Sequence, residues 1–97
     1  MRLEESRKQI DEIDSEIVAL LNRRALVSRQ IGELKTRAGL PVVDSDREEV
    51  VLRRIVRDNA GAIDPGSLTR IYREVLEESR RIQTTVLLSF TTDEVCK

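Results

Sequence analysis

Two cations stand where a helix should be apolar. Arg24 and Lys35 share a stripe with Ile17, Leu20, Leu21, Ser28 and Ile31. At about 100° per residue, Arg24, Ser28, Ile31 and Lys35 fall within one narrow sector of a helix. A charge turned toward a core costs on the order of several kcal/mol unless it finds a partner. No acidic residue takes up that face between Arg24 and Ile31. Two fixed cations without an internal anion point to a pocket built for an anionic small molecule.

Polar groups interrupt apolar stripes elsewhere as well. Leu68, Ile71, Tyr72, Val75 and Leu76 continue by helical spacing into Ser79 and Gln83, then Val86 and Leu87. Asp44, Arg47 and Glu48 share a face with Val51 and Ile55. Any one of these reads as an ordinary surface or boundary position; their coincidence on every helical segment argues for a site. Arg7 adds a geometric clue. It precedes Arg24 by 17 residues, about 26 Å along a helix axis and some 100° around it. One helix cannot bring both side chains to one small ligand. In an antiparallel pairing of two copies, the start of one long helix approaches the middle of the other, and Arg7 would serve its neighbour's pocket.

The elements that must hold these groups are all helical. Leu3, Ile10, Ile13, Ile17, Leu20, Leu21, Val27, Ile31 and Leu34 recur at three- and four-residue steps, predicting a first helix over about 3–38. Gly32 interrupts it at a cost of about 1 kcal/mol, and Gly39 and Pro41 stop it. A second helix over 45–58 starts at Asp44 or Ser45 as cap and ends at Asn59-Ala60-Gly61. Asp64-Pro65, a cap followed by proline at the first helical position, opens a third over 65–90. The tail, 91–97, is polar and β-branched and is expected to fray.

The fold class is therefore all-α: one domain of three helices per chain, one long and two shorter. A helix of some 35 residues spans about 50 Å, whereas a compact chain of this size has a diameter of roughly 30–35 Å. A second copy packed along the overhanging stripe is the expected remedy.

Composition removes whole classes of function. The chain has 97 residues, 39% apolar and only 2% aromatic; 17 Lys+Arg balance 18 Asp+Glu for a net charge of −1. That leaves no electrostatic footprint for nucleic acid and no aromatics to stack on RNA bases. No apolar run is long enough for a membrane span, and MRLEESRKQI does not read as a signal peptide, so a cytoplasmic location is expected. There is no histidine, and the sole cysteine, Cys96, reads as a free exposed thiol. The usual zinc sites and Ser-His or Cys-His catalysis drop out, as do the P-loop and GxGxxG routes to nucleotides. An enzyme made of these residues works by positioning and electrostatics.

The chain resembles the all-helical, AroQ-class chorismate mutases, which form intertwined homodimers. The resemblance spans Ser6 to Leu87 and rests on Arg7, Ile10 and Asp14; on Leu20, Leu21, Arg24 and Lys35; on Pro41, Val42, Asp44, Arg47 and Glu48; and on Ser79 and Gln83. Individually these are weak patterns, but in this order and spacing they are specific. The resemblance implies conversion of chorismate to prephenate, a pericyclic Claisen rearrangement in phenylalanine and tyrosine biosynthesis that uses no metal and no cofactor. It also implies roles. Arg24 and the partner copy's Arg7 would clamp the two substrate carboxylates. Arg47 would support that anion site and Ser79 would donate to a carboxylate. Glu48, with the backbone near Asp44, would hold the ring hydroxyl, and Lys35 and Gln83 would flank the ether oxygen. Asp14 has no catalytic part and is expected at a helix contact. Isochorismate–pyruvate lyases share the scaffold but generally lack an acid at the position of Glu48; a mutase for the 4-amino analogue of chorismate and a catalytically silent dimerisation or regulatory module are the other readings. The start at Met1 and the polar end fit either a stand-alone chain or one domain of a bifunctional enzyme.

Overall fold

The long apolar periodicity folds as one unbroken helix, α1, over Leu3–Ala38. The computed structural model describes residues 2–95, so Cys96 lies outside the described residues. Gly39 ends α1 by taking a left-handed conformation, φ 69°, which glycine reaches without a Cβ penalty. Its N–H bonds the Thr36 carbonyl at 3.3 Å, and the Leu40 N–H reaches back to the Lys35 carbonyl at 2.9 Å. This Schellman closure turns the chain sharply at Gly39 and brings the following loop under the Lys35 side chain.

The second helix, α2, runs over Ser45–Asp58 and is capped by Asp44, whose carboxylate accepts the Arg47 N–H at 3.0 Å. Gly61, at φ 147°, takes the turn that follows, and Asp64 accepts the Ser67 N–H at 3.0 Å to start the third. That helix, α3, covers Pro65–Val95. It is longer than the expected 65–90: the backbone stays helical through Val95. Thr91 and Thr92 lower helix propensity by only a few tenths of a kcal/mol each, and neither glycine nor proline follows to stop the helix.

Packing gives α3 the central place, against α1 on one side and α2 on the other. The interior is thin. Val51, Leu76 and Val86 are its buried apolar residues, and Ser28, Ser79 and Gln83 are buried with them. Meanwhile Ile10, Ile13, Ile17, Leu20, Leu21 and Leu34 remain exposed along α1, Leu20 at 58% and Leu34 at 65%. The chain measures 62 × 27 × 15 Å with a radius of gyration of 17.4 Å, against about 13 Å for a compact domain of this length. It is a plate with one long apolar edge. Among the described residues, no helix is long and apolar enough to cross a membrane.

Gly32 has a reason that its helix propensity hides. A Cβ built there would sit 3.0 Å from the Gln83 Cα and 3.3 Å from the Val86 Cβ. The missing side chain lets α1 and α3 approach closely at Gln83. Gly32→Ala, which would stabilise an ordinary helix interior by about 1 kcal/mol, is expected to destabilise this one by a similar amount, and Gly32→Val by more. Urea denaturation of both variants checks the order; a Gly32→Ala protein more stable than the wild type would show that the approach is not tight.

Candidate active site

The same close approach sets Lys35 beside Gln83. From the last turn of α1, Lys35 Nζ donates to Gln83 Oε1 at 2.9 Å and to the Val42 carbonyl at 2.8 Å. An ammonium carries three donors, so one remains for a ligand. The Gln83 amide is buried, and with its oxygen taken by Lys35 its N–H groups are the donors it can still offer.

Farther back on α1, the half-buried Arg24 donates from Nη1 to Ser79 Oγ on α3. Its guanidinium also lies over the Tyr72 ring, 5.8 Å from the centroid, within reach of a cation–π attraction. Ser28, one turn beyond Arg24, places its hydroxyl 2.9 Å from the same Ser79 Oγ. Ser28 and Ser79 are buried, so Arg24 is anchored by a hydrogen-bonded pair that water reaches poorly. On α2, Glu48 Oε1 accepts from Arg80 Nη1 of α3 at 3.4 Å.

These side chains line one cavity of about 270 Å³, near the lower end of small-molecule pockets, about 300 Å³. All three helices wall it. Arg24, Ser28 and Lys35 come from α1; Arg47, Glu48 and Val51 from α2; Leu76, Ser79, Arg80 and Gln83 from α3; Val42 and Asp44 from the loop. Of the residues singled out by sequence, Arg24, Lys35, Asp44, Arg47, Glu48, Ser79 and Gln83 therefore meet in one space. Asp44 is partly committed, since one carboxylate oxygen caps α2. Arg7 is not in that space: it is exposed in the early turns of α1, 3.7 Å from Glu4. Outside the cavity, side-chain hydrogen bonds from Arg81 hold the Glu78 carboxyl below the usual carboxylate range.

Chemically, the cavity offers fixed cations, neutral donors and a single uncapped carboxylate, the equipment for gripping a dianion and stabilising charge that shifts within it. The Chorismate mutase type II family matches residues 6–84. The chain belongs to this family.

Its relatives among chorismate mutases differ in length. It is 36% identical over 92 residues to the bifunctional chorismate mutase/prephenate dehydratase of Aquifex aeolicus, a match covering 91% of this chain and 25% of that protein. The chain thus spans about a quarter of that bifunctional relative. The chorismate mutase of Methanocaldococcus jannaschii is 28% identical over 85 residues, 84% of each chain. Among solved structures, a chorismate mutase (form II) from Thermus thermophilus superposes with a TM-score of 0.84 at 30% identity, covering 87% of this chain and 96% of that one.

Sequence reasoning passed over three contributors. Ser28 was named on the stripe with Arg24 and Lys35 but given no part; its spacing of one turn from Arg24 was the available signal. Arg80 follows the inward-facing Ser79 by about 100° of helix, which reads as surface. The Val42 carbonyl, being backbone, leaves no mark in residue types. The serine pair yields a test. Ser79→Ala strands the buried Ser28 hydroxyl and frees Arg24, and is expected to cost about 1–2 kcal/mol of stability. Adding Ser28→Ala should cost much less than it does alone, because the stranded group is then gone. Chemical denaturation of the two single variants and the double variant measures this; additive losses would mean that the hydroxyls do not depend on each other.

Proposed function

We propose that this chain catalyses the rearrangement of chorismate to prephenate as a cytoplasmic homodimer. The observation that carries this reading is the Lys35–Gln83 pair, hydrogen-bonded at 2.9 Å at one end of a cavity that Arg24 and Arg47 also line. In the rearrangement a C–O bond breaks while a C–C bond forms within one molecule, and negative charge develops on the ether oxygen. Lys35 and the Gln83 amide N–H groups donate to that oxygen. Donors fixed at that point stabilise the transition state more than the ground state. Arg24, steadied by Ser79 and Tyr72, grips one carboxylate in a bidentate fork. Arg47 adds to the anion's field, Ser79 offers its hydroxyl to a carboxylate, and Glu48 with the backbone near Asp44 holds the ring hydroxyl. Clamping both ends of a flexible substrate enforces the folded, reactive conformer, a contribution of positioning.

The second carboxylate needs another cation, and Arg7 supplies it from the partner copy. The support is the exposed apolar edge of α1, a surface suited to pairing with the same edge of another chain, together with the axial distance that keeps Arg7 from its own cavity.

Purified protein should consume chorismate with loss of its ultraviolet absorbance and yield prephenate; pyruvate released from isochorismate at much higher efficiency would overturn the assignment. Lys35→Ala should lower kcat on the order of a hundredfold, the scale of losing one preorganised donor; a mild loss would remove Lys35 from the chemistry. Because Gln83 is neutral, activity should be nearly flat across the neutral pH range, and a steep rise toward acid would contradict its donor role. Arg7→Ala and Arg24→Ala subunits, each inactive alone, should partly recover activity when mixed, since one hybrid site regains both arginines. No recovery despite measured subunit exchange would place Arg7 outside the partner's site.

A further inference from the structure

Among the described residues, one ion pair joins two helices: Arg80 of α3 with Glu48 of α2, at 3.4 Å. Arg7–Glu4, Arg29–Glu33, Arg57–Asp58 and Arg81–Glu78 each lie within a single helix. The interhelical pair is also the best sheltered. The Glu48 side chain is 24% exposed and that of Arg80 39%, less than any member of the other pairs. Arg80 and Glu48 both line the candidate cavity.

That cavity contains a contradiction that Arg80 resolves. Arg24, Lys35 and Arg47 gather there to attract an anion, yet Glu48 puts a carboxylate into the same space. Within a Debye length of about 8–10 Å, an uncompensated carboxylate repels a dianion with little screening. Arg80 supplies the compensation from α3, and its bond engages Glu48 Oε1. A carboxylate has two oxygens, so Oε2 stays available to accept from a hydroxyl.

We infer that Arg80 is a positioning residue for substrate recognition: it neutralises and orients Glu48, so that a cavity bearing a carboxylate admits a dicarboxylate while keeping an acceptor for its hydroxyl group. This rests on the mutase reading and deepens it. Arg80 acts through Glu48 and does not grip the substrate itself. Its influence falls on affinity, because the repulsion it removes is the same for bound substrate and transition state.

The test is a double-mutant cycle read by binding and turnover. The affinity for prephenate, the dicarboxylate product, is measured by calorimetry in the wild type, Arg80→Leu, Glu48→Gln and the double variant, with helix content checked by circular dichroism. Arg80→Leu should weaken prephenate binding roughly five- to tenfold, the scale of one partly sheltered ion pair. It should raise KM for chorismate in parallel and leave kcat within about threefold. Arg80→Lys should retain most of the affinity, and Arg80→Gln offers a polar replacement should leucine perturb the fold. In the Glu48→Gln background the same Arg80→Leu change should alter affinity less than about twofold, since no charge remains to be compensated. Equal losses in both backgrounds, or no loss in either, would overturn the inference. If wild-type protein neither turns over chorismate nor binds prephenate, the mutase reading itself fails; normal wild-type turnover with a flat cycle refutes only the part given to Arg80.

Discussion

The structure depends on how closely α1 and α3 approach at Gly32 and Gln83. A residue without a side chain on one helix lets the Cα of the other come within the reach of a missing Cβ, 3.0 Å. The polar contacts on either side of Gly32 depend on that spacing. Lys35, three residues beyond Gly32, can then reach Gln83, and Ser28, four residues before it, can reach Ser79. Bonds of this kind tolerate only a few tenths of an ångström before they weaken. A bulkier interface would hold the helices together equally well and leave these side chains short of their partners.

Electrostatics explains why the interface is polar at all. Burying Arg24 and Lys35 fully would be expensive, and placing acids beside them would cancel the field they provide. Neutral acceptors satisfy them instead: a serine hydroxyl for Arg24, and an amide oxygen and a backbone carbonyl for Lys35. Both side chains are thereby held in place without an acid beside them. Such groups are preorganised in the sense that catalysis requires, because the cost of fixing them is met during folding and not when substrate arrives.

Much of this was legible in residue types. The helical periods, the Gly39 stop and the Asp64-Pro65 start mark the elements because each has a local cause. Arg24 and Lys35 announce a site because polar groups interrupt the apolar stripes of the other two helices as well, although a single arginine there could reach water along its stem. What could not be read is tertiary in origin. Gly32 looked like a simple interruption, since its value depends on an element far away in sequence. Arg80 carries no signal in the sequence, since only the placement of α2 against α3 shows what lies opposite. The end of α3 was read too early because a polar, β-branched composition weakens a helix without stopping it. The exposed apolar edge of α1 was expected from length alone, and the proposed partner copy is the physical answer to it.

The thin interior has a consequence for how such a chain can change. Among the described residues, the buried Ser28, Val51, Leu76, Ser79 and Gln83 are also walls of the cavity, with Gly32 and Val86 standing apart. In most enzymes a large hydrophobic mass absorbs substitutions while the active residues stay fixed. Here the chain has no such reserve, so scaffold and pocket are largely one set of atoms. Drift that spares the fold must also spare the cavity, and a ligand that fills the cavity braces the same side chains that hold the helices together. Occupancy and folding are thereby thermodynamically linked, and selection acting on either one acts on both.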